Sequence, residues 1–396
     1  MLQPRLTKIN QHYYKALQIA GVILVCVLAF LHALFFAENF EKYGSYHSPD
    51  AQHYIAMAQR LLEEGIYSFW GNGPDAYVSP GYPLFLTACM AIFGTDVYAL
   101  HSIKIIQAIL VALTVFLTFC LGYLLTKKYS IGLFASFMIA INGWYGFVSR
   151  QLLTESLYYF SMLLAVTVFL IAVQSQKKWV FFLAGVCFCA SIMVRPLLII
   201  VIPFIFFPLL LRLRKKALIP LALFVVGFVL VGLPWWIRNI VVLHQPILLA
   251  TQTNPIYAGL AKDVIAIGLK DPGTMLGNLK LLLQLLISDF TGTVYWMTFG
   301  KFNIMFMSTI KTYIGLEILT NISAFLVIFP GLLGAFIALF DKSMRWASIV
   351  FWVFFASSFM FIPTSRYGMQ YLFFLAIFTG YLIHLASTNV RKKQLQ

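Results

Sequence analysis

The stretch LQIAGVILVCVLAFLHALFF, residues 17–36, decides the class of fold. It contains no Asp, Glu, Lys or Arg, and it is long enough for the ~20 apolar residues that cross a bilayer. It leads into no small-residue cleavage pattern, so we expect an uncleaved transmembrane helix rather than a signal peptide. Hydrophobic residues make up 61% of the 396 residues and charged residues only 10%, against roughly 45–50% and ~25% in soluble domains. The composition therefore excludes an ordinary soluble domain.

Nine further apolar runs predict an all-α polytopic membrane protein, a bundle of about ten transmembrane helices. They lie at about 102–126, 129–148, 156–174, 179–194, 197–211, 217–236, 320–340, 346–362 and 368–387. Two of them, 179–194 and 197–211, are short and could form a broken or tilted pair. The run from Tyr82 to Phe93 is shorter still, so we expect an interfacial or partly inserted helix there.

The distribution of charge predicts the orientation. With the N-terminus in the cytosol, the termini and four short turns on that side hold 16 of the 28 basic residues and one of the 13 acidic residues. The remaining 12 basic and 12 acidic residues lie on the other side, as the positive-inside rule requires. We therefore expect a multi-pass protein of the plasma (inner) membrane with both termini cytosolic. The net charge of +15 reflects this orientation and anionic lipid, and it does not indicate nucleic acid.

Two segments on the outer side are long, 37–101 and 237–319. Each contains the pattern of an interfacial helix, the second in Lys280-Leu281-Leu282-Leu283-Gln284-Leu285-Leu286. Neither segment is large or polar enough to form a separate soluble domain. We expect residues 1–396 to form a single transmembrane domain in which these segments roof a cavity over the bundle.

A helix begins shortly after the first span, in the stretch Ser48-Pro49-Asp50-Ala51-Gln52-His53-Tyr54. Ser48 is a preferred N-cap and Pro49 suits the first helical position, and apolar residues then recur at helical spacing until Gly65. Asp50 lies in the first turn, where the helix dipole favours an ionised carboxylate. A carboxylate at the lipid–water boundary could serve a membrane transferase as a base, or it could simply cap the helix.

Four arginines lie near the predicted outer ends of spans: Arg150, Arg195, Arg238 and Arg366. Guanidinium groups bind phosphate oxygens bidentately, so several of them around one carboxylate would suit a phosphate diester or pyrophosphate at the interface. The alternative is that each arginine is an interfacial anchor whose charge reaches the lipid headgroups.

Five stretches carry a resemblance to a known superfamily, and they occur in the order in which that superfamily has them. They are Ser48 to Tyr54 with Ala58 and Gly65-Ile66-Tyr67; Ser79-Pro80-Gly81-Tyr82-Pro83-Leu84-Phe85-Leu86 with Gly94; Leu153-Thr154-Glu155-Ser156-Leu157; Pro234-Trp235-Trp236-Ile237-Arg238-Asn239; and Ser365-Arg366-Tyr367. The chain resembles the polytopic glycosyltransferases of the GT-C superfamily. Within it, the chain is most similar to the family 39-like, phospholipid-carrier-dependent members, relatives of protein O-mannosyltransferases and aminoarabinose transferases.

The resemblance implies an inverting glycosyltransferase that uses a polyprenyl-phosphate sugar on the non-cytosolic side. The general base of the family falls on Asp50, and the four arginines above become candidates for binding the donor phosphate. Further candidates for the substrate cavity are His53, Tyr54, Tyr82, Glu155, Asn239 and Tyr367. The acceptor would be a lipid-linked glycan, a lipid or a wall polymer, because the chain lacks the large C-terminal soluble domain of some relatives. The rival interpretation is a transporter or flippase of a lipid-linked sugar.

The resemblance is incomplete at the carboxylate. Many relatives carry a second acidic residue beside the first, whereas Ala51 follows Asp50 here. No metal site is therefore expected, although His47, Asp50 and His53 are spaced so that a divalent cation is an open alternative. No other cofactor is indicated by the sequence.

Overall fold

The computed structural model describes residues 3–39, 48–263, 268–307 and 317–394, and in these ranges the chain forms helices and connecting turns with no strand. The first α-helices are α1 (Gln3–Glu38), α2 (Pro49–Glu64), α3 (Gly81–Phe93), α4 (Val97–Thr126), α5 (Tyr129–Ala140), α6 (Gly143–Arg150), α7 (Glu155–Ser175) and α8 (Lys178–Val194). They are followed by α9 (Val201–Leu213), α10 (Leu218–Leu243), α11 (Asn254–Tyr257), α12 (Met275–Ser288), α13 (Phe290–Tyr295), α14 (Glu317–Ala338), α15 (Arg345–Ser357), α16 (Ser365–Gly368) and α17 (Leu372–Gln394).

Helices cover each of the ten predicted apolar runs. Fewer than ten of them, however, are long and apolar enough to count as membrane spans. Five helical segments in the described ranges are long and apolar enough to cross a membrane, or six if the bent pair α5 and α6 is one span. They are Tyr13–Glu38, Val97–Thr126, Glu155–Ser175, Pro196–Leu243 and Ser365–Thr388. The helical class thus agrees with the sequence, whereas ten spans are not confirmed. The difference arises because α8 and the apolar parts of α14 and α15 are short, and because the runs 197–211 and 217–236 fall in one segment, Pro196–Leu243.

The helices are interrupted at two places within or between the predicted spans. The run 129–148 bends by 54° between α5 and α6. At this bend the Oδ1 of Asn142 accepts a hydrogen bond from the backbone N–H of Trp144 (3.0 Å), which caps α6. Helix α8 ends at Arg195, whose backbone is extended (φ −143°, ψ 124°). Pro196 follows, and a residue before proline is disfavoured in the helical conformation. This interruption lies between the two short runs, 179–194 and 197–211, for which the sequence leaves a broken or a tilted pair open.

The first outer helix forms as its sequence predicts. The Ser48 Oγ accepts a hydrogen bond from the N–H of Ala51 (3.3 Å), Pro49 occupies the first position, and Gly65 ends α2 in the left-handed conformation (φ 71°). Helix α2 packs on α3, which has only 13 residues and is too short to span a bilayer. A Cβ on Gly81 would lie 2.8 Å from the Met193 carbonyl group, so α3 sits directly against the end of α8.

The bundle has two chemically distinct ends. At one of them the Lys127 Nζ contacts the Gln174 Oε1, and Arg212 shares the lining of one cavity with Gln174 and Ser343. We name this the Lys127 end. The predicted outer helix α2 and the charged starts of α7 and α16 meet at the opposite side, which we name the Asp50 end. Turns that the charge count assigns to the cytosol therefore gather at the Lys127 end.

Candidate active site

A buried carboxylate, Glu155, forms the centre of an ion-pair cluster at the Asp50 end. It is the first residue of α7, and its side chain is only 1% exposed. Its Oε1 accepts hydrogen bonds from the Arg195 Nη2 (2.5 Å) and the Arg366 Nε (2.5 Å). Removing one partner from such a buried pair leaves an uncompensated charge, which costs about 3–5 kcal/mol. The cluster is therefore held together by electrostatics as a unit.

Arg366 joins this buried carboxylate to a second, exposed one. Its Nη1 lies 2.9 Å from the Asp50 Oδ2, while its Nε is bound to Glu155. The exposed fraction of the side chains rises from 1% at Glu155 through 30% at Arg366 to 56% at Asp50. The charges thus lead from the bundle interior to a carboxylate that substrate could reach. We call these four residues, Asp50, Glu155, Arg195 and Arg366, the ion-pair cluster.

Each residue of the ion-pair cluster lies at the start of a helix, just after the end of one, or in a short helix. Asp50 and Glu155 both lie in first turns, of α2 and α7, where the positive end of the helix dipole favours a carboxylate. Arg195 occupies the extended link between α8 and the 3₁₀ turn that starts at Pro196. Arg366 lies in the short helix α16. Segments distant in sequence must therefore converge for the cluster to form.

Arg195, the second arginine of the cluster, packs against aromatic rings, and one of its guanidinium nitrogens can still donate a hydrogen bond. The Arg195 Nε donates to the Thr154 Oγ1 (2.8 Å), and its guanidinium lies 5.6 Å from the ring centroid of Tyr158 and 5.3 Å from that of Tyr367. Its Nη1 is buried and has no hydrogen-bond partner within the described part of the chain. A buried donor without a partner is costly, so this nitrogen is available to an anionic ligand.

Tyrosines form one side of the cluster. Tyr54, one turn of α2 after Asp50, packs edge-on against the ring of Tyr82, with 5.2 Å between centroids. The Tyr82 hydroxyl donates to the Gln107 Oε1 (3.1 Å). Burial raises the pKa of the Tyr54 hydroxyl, which the nearby Arg195 and Arg366 oppose, so it remains a neutral phenol. Tyr82 is fully buried and Tyr54 is partly buried, so these rings flank the cluster without covering its exposed carboxylate, Asp50.

His53, also on α2, lies in an aromatic group to which Tyr54 is joined through Phe69, with 5.9 Å between the Tyr54 and Phe69 centroids. Its ring stacks on Phe69 (4.9 Å between centroids) and meets Trp70 edge-on (5.2 Å). His47, the other predicted histidine of a cation site, lies outside the described residues. Within those residues no group of three His, Cys, Asp or Glu side chains could hold a metal ion. The alternative of a divalent cation thus stays untested.

Two predicted residues lie in a different environment. The Arg238 Nη1 donates to the backbone oxygen of Asp75 (2.7 Å) and its Nη2 to that of Tyr67 (3.1 Å), with the guanidinium 5.2 Å from the Trp235 ring centroid. The neighbouring Asn239 is buried, and its Nδ2 donates to the Ile247 oxygen (2.8 Å). Both residues hold the 67–77 loop and the end of α10, and the structure does not join them to the ion-pair cluster.

Arg150 is also outside the cluster. It is buried at the end of α6, with its guanidinium 4.3 Å from the centroid of the Phe147 ring. The ion pairs of Glu155 are made by Arg195 and Arg366 instead. Of the four predicted phosphate-binding arginines, the structure brings two together with Asp50.

Sequence reasoning placed Glu155 in the cavity but missed that it is the shared partner of both arginines. It also missed Thr154, which binds Arg195, and Tyr159, whose hydroxyl donates to the backbone oxygen of Arg366 (3.2 Å). A signal was present. A carboxylate at the first position of an apolar helix must be paired if it is buried, and that requirement points to cations elsewhere in the chain.

Comparison with solved structures finds a similar fold in an archaeal membrane enzyme. The chain matches an archaeal oligosaccharyltransferase, AglB from Archaeoglobus fulgidus, solved in complex with an inhibitory peptide and a dolichol-phosphate, with a TM-score of 0.59 and 12% sequence identity. The match covers 97% of this chain and 52% of that protein, so the chain spans about half its length. No family model and no curated protein matches. At this identity the likeness shows a shared fold, and it does not test the predicted similarity to family 39.

Proposed function

We propose that this chain is a membrane glycosyltransferase that moves a sugar from a polyprenyl-phosphate donor to an acceptor hydroxyl, with inversion. The observation that carries the proposal is the position of Arg366, which pairs through one nitrogen with buried Glu155 and through another with exposed Asp50. This arrangement brings a carboxylate that can accept a proton and a guanidinium that can bind phosphate together at the Asp50 end. The GT-C likeness supports glycosyl transfer as the class of reaction.

Arg366 and Arg195 are the proposed phosphate ligands. In the ion-pair cluster two guanidinium charges balance two carboxylates, so an added phosphate must replace a carboxylate to remain neutralised. Asp50 is the exposed carboxylate and Glu155 the buried one, and exchange at Asp50 therefore costs less. A phosphate at the Arg366 Nη1 and the Arg195 Nη1 would take the place of Asp50 on Arg366.

This exchange assigns a role to the freed carboxylate. In the ion pair, one oxygen of Asp50 is bonded to Arg366, and the guanidinium neutralises the charge of the carboxylate. Once donor phosphate replaces it, that oxygen can take the proton of the acceptor hydroxyl while the acceptor oxygen bonds to the anomeric carbon. The bond from that carbon to the phosphate oxygen breaks, and free polyprenyl phosphate leaves. A positioned base of this kind typically contributes ~10²–10⁴-fold to the rate.

The side of the membrane and the acceptor complete the proposal. We propose a cytosolic position for the Lys127 end, which its basic turns support, and a position of the ion-pair cluster on the outer, periplasmic face of the inner membrane. We propose a lipid-linked glycan, a lipid or a wall polymer as acceptor. The phosphate of a donor lipid lies at the membrane interface. We propose that it meets Arg366 and Arg195 there, because both residues lie at the Asp50 end of the bundle.

The experiment is a screen of the purified protein in detergent against polyprenyl-phosphate sugars, with free polyprenyl phosphate as readout. An active donor should release lipid phosphate in the wild type and not in Asp50→Asn. A matched control is Asp96→Asn, which removes the charge of an Asp at another helix start, the N-cap of α4, without touching the ion-pair cluster. Binding of the donors without any release of lipid phosphate would contradict the proposal of a glycosyltransferase and would favour a flippase.

A further inference from the structure

A second site lies at the opposite end of the bundle, in a groove between α1 and α4 of about 990 Å³. One wall is formed by α1 from Lys15 to Phe30 and the other by α4 from Ile109 to Lys127. Tyr129, the first residue of α5, closes the groove at the Lys127 end. None of the proposed glycosyl-transfer residues lines it, so the site stands independently of that function.

The groove is polar at one end only. Its polar lining residues are Lys15, Gln18, Tyr123, Lys127 and Tyr129. Along the rest of its length the lining consists of aliphatic and aromatic side chains, Cys26 and Ala112. None of the described residues that line the groove is acidic. A ligand that fits must therefore combine a negatively charged or polar head with a long apolar part.

The polar end has a fixed shape. The Tyr129 hydroxyl donates to the backbone oxygen of Gln18 (2.6 Å), and a Cβ on Gly21 would lie 2.8 Å from that hydroxyl. The ring of Phe119 stacks against Tyr123 and meets Tyr129 edge-on, with centroids 6.3 Å and 5.4 Å apart. Tyrosines are typical of the membrane interface. This end is thus built at the depth where lipid headgroups lie.

The length of the groove distinguishes two possible occupants, a lipid and a membrane-spanning helix. From Lys15 to Phe30 the helix rises about 22 Å. One leaflet contributes ~15 Å of hydrocarbon plus its headgroup layer, whereas a membrane-spanning partner helix needs ~30 Å of apolar surface. The groove therefore matches one leaflet. We propose that the α1–α4 groove binds one anionic phospholipid, with its phosphate beside Lys15 and Lys127 and its chains along Ile23 and Phe116.

The test is native mass spectrometry of the full chain in detergent with added phosphatidylglycerol or phosphatidylcholine. The wild type should retain one phosphatidylglycerol and much less phosphatidylcholine. The double variant Lys15→Gln, Lys127→Gln should weaken phosphatidylglycerol binding about 30-fold, the effect of two basic contacts with anionic lipid. The matched control is Lys177→Gln, Lys178→Gln, an exposed basic pair at the same end that does not line the groove, and it should bind like the wild type.

A second variant tests the apolar part. Ala112→Trp fills the groove without changing charge and should abolish retention of the lipid. Equal binding of the two lipids, equal loss in the Lys177 and Lys178 control, or full retention in Ala112→Trp would each overturn the proposal. A dimer that Ala112→Trp converts to a monomer would show that a second copy occupies the groove, and it would overturn the lipid assignment too.

Discussion

Arg366 and Arg238 lie at the same end of the bundle, in stretches that resemble the same superfamily, yet their partners differ. Arg366 pairs with the carboxylates of Glu155 and Asp50. Arg238 donates to the backbone oxygens of Tyr67 and Asp75. A carboxylate partner can be exchanged for a phosphate of like charge, whereas a backbone carbonyl cannot leave without unfolding its loop. The comparison separates an arginine suited to binding substrate from one that holds structure.

The largest effect is expected at the shared partner of the cluster. Glu155→Gln leaves Arg195 and Arg366 without their buried counter-charge, and we expect a loss of about 3–5 kcal/mol in the free energy of unfolding. Thermal or denaturant unfolding of the purified protein measures it. Glu63→Gln on the exposed face of α2 serves as the control and should change stability little. An unchanged Glu155→Gln protein would show that the ion-pair cluster is not electrostatically coupled.

Lysine substitution tests the two arginines directly. Arg366→Lys keeps the charge but loses the forked guanidinium, and we expect turnover to fall ~10²–10³-fold, as for loss of one donor to a developing anion. Arg238→Lys should leave turnover within a few-fold and should instead loosen the 67–77 loop, measured by hydrogen exchange. If Arg238→Lys abolishes turnover while Arg366→Lys does not, the assignment of the two arginines is reversed.

Lys301, like Arg238, is bonded to a backbone oxygen, but a lysine can lose its proton when it is buried. It is fully buried, its Nζ contacts the backbone oxygen of Phe359, and burial lowers its pKa from 10.5 to about 7. Between these values the unfolded chain binds more protons than the folded one, so its contribution to folding stability rises with pH from about 7 to 10.5. The slope approaches at most about 1.4 kcal/mol per pH unit.

Lys301→Met should remove this dependence. We expect the difference in unfolding free energy between Lys301→Met and wild type to be larger at pH 7 than at pH 9, in favour of the variant. Lys262→Met, an exposed lysine of the same outer segment, is the control and should show no such trend. A difference that does not change with pH would contradict a buried, titrating lysine.

The smallest perturbation tests whether both arginines face the same outer side. Cysteines placed at Asn72, in the loop held by Arg238, and at Lys262 are exposed and should react with an impermeant thiol reagent on intact cells. Lys178→Cys at the Lys127 end should react only after the membrane is opened. The opposite pattern of labelling would show that the orientation is inverted.

The sequence predicted the parts of this molecule that depend on local chemistry. The start of α2 at Ser48 and its end at Gly65 follow from residues that act within one turn. The partners of Arg366 and Arg238 could not be predicted, because both arginines end or begin apolar runs and only tertiary contacts distinguish them. The bend at Asn142 was missed since the surrounding run is apolar on both sides. The number of spans depends on how helices pack and tilt, which hydropathy does not record.

The most direct test of the account is a paired measurement on Asp50→Asn with a polyprenyl-phosphate sugar that the wild type turns over. The variant removes the proton acceptor and weakens the competitor for Arg366, while Asn keeps the size of the side chain and Ser48 still caps α2. We predict that turnover falls at least ~10²-fold and that the dissociation constant of the donor stays equal or becomes lower. Near-normal turnover by a folded Asp50→Asn protein would contradict the account, and so would a loss of donor binding together with turnover.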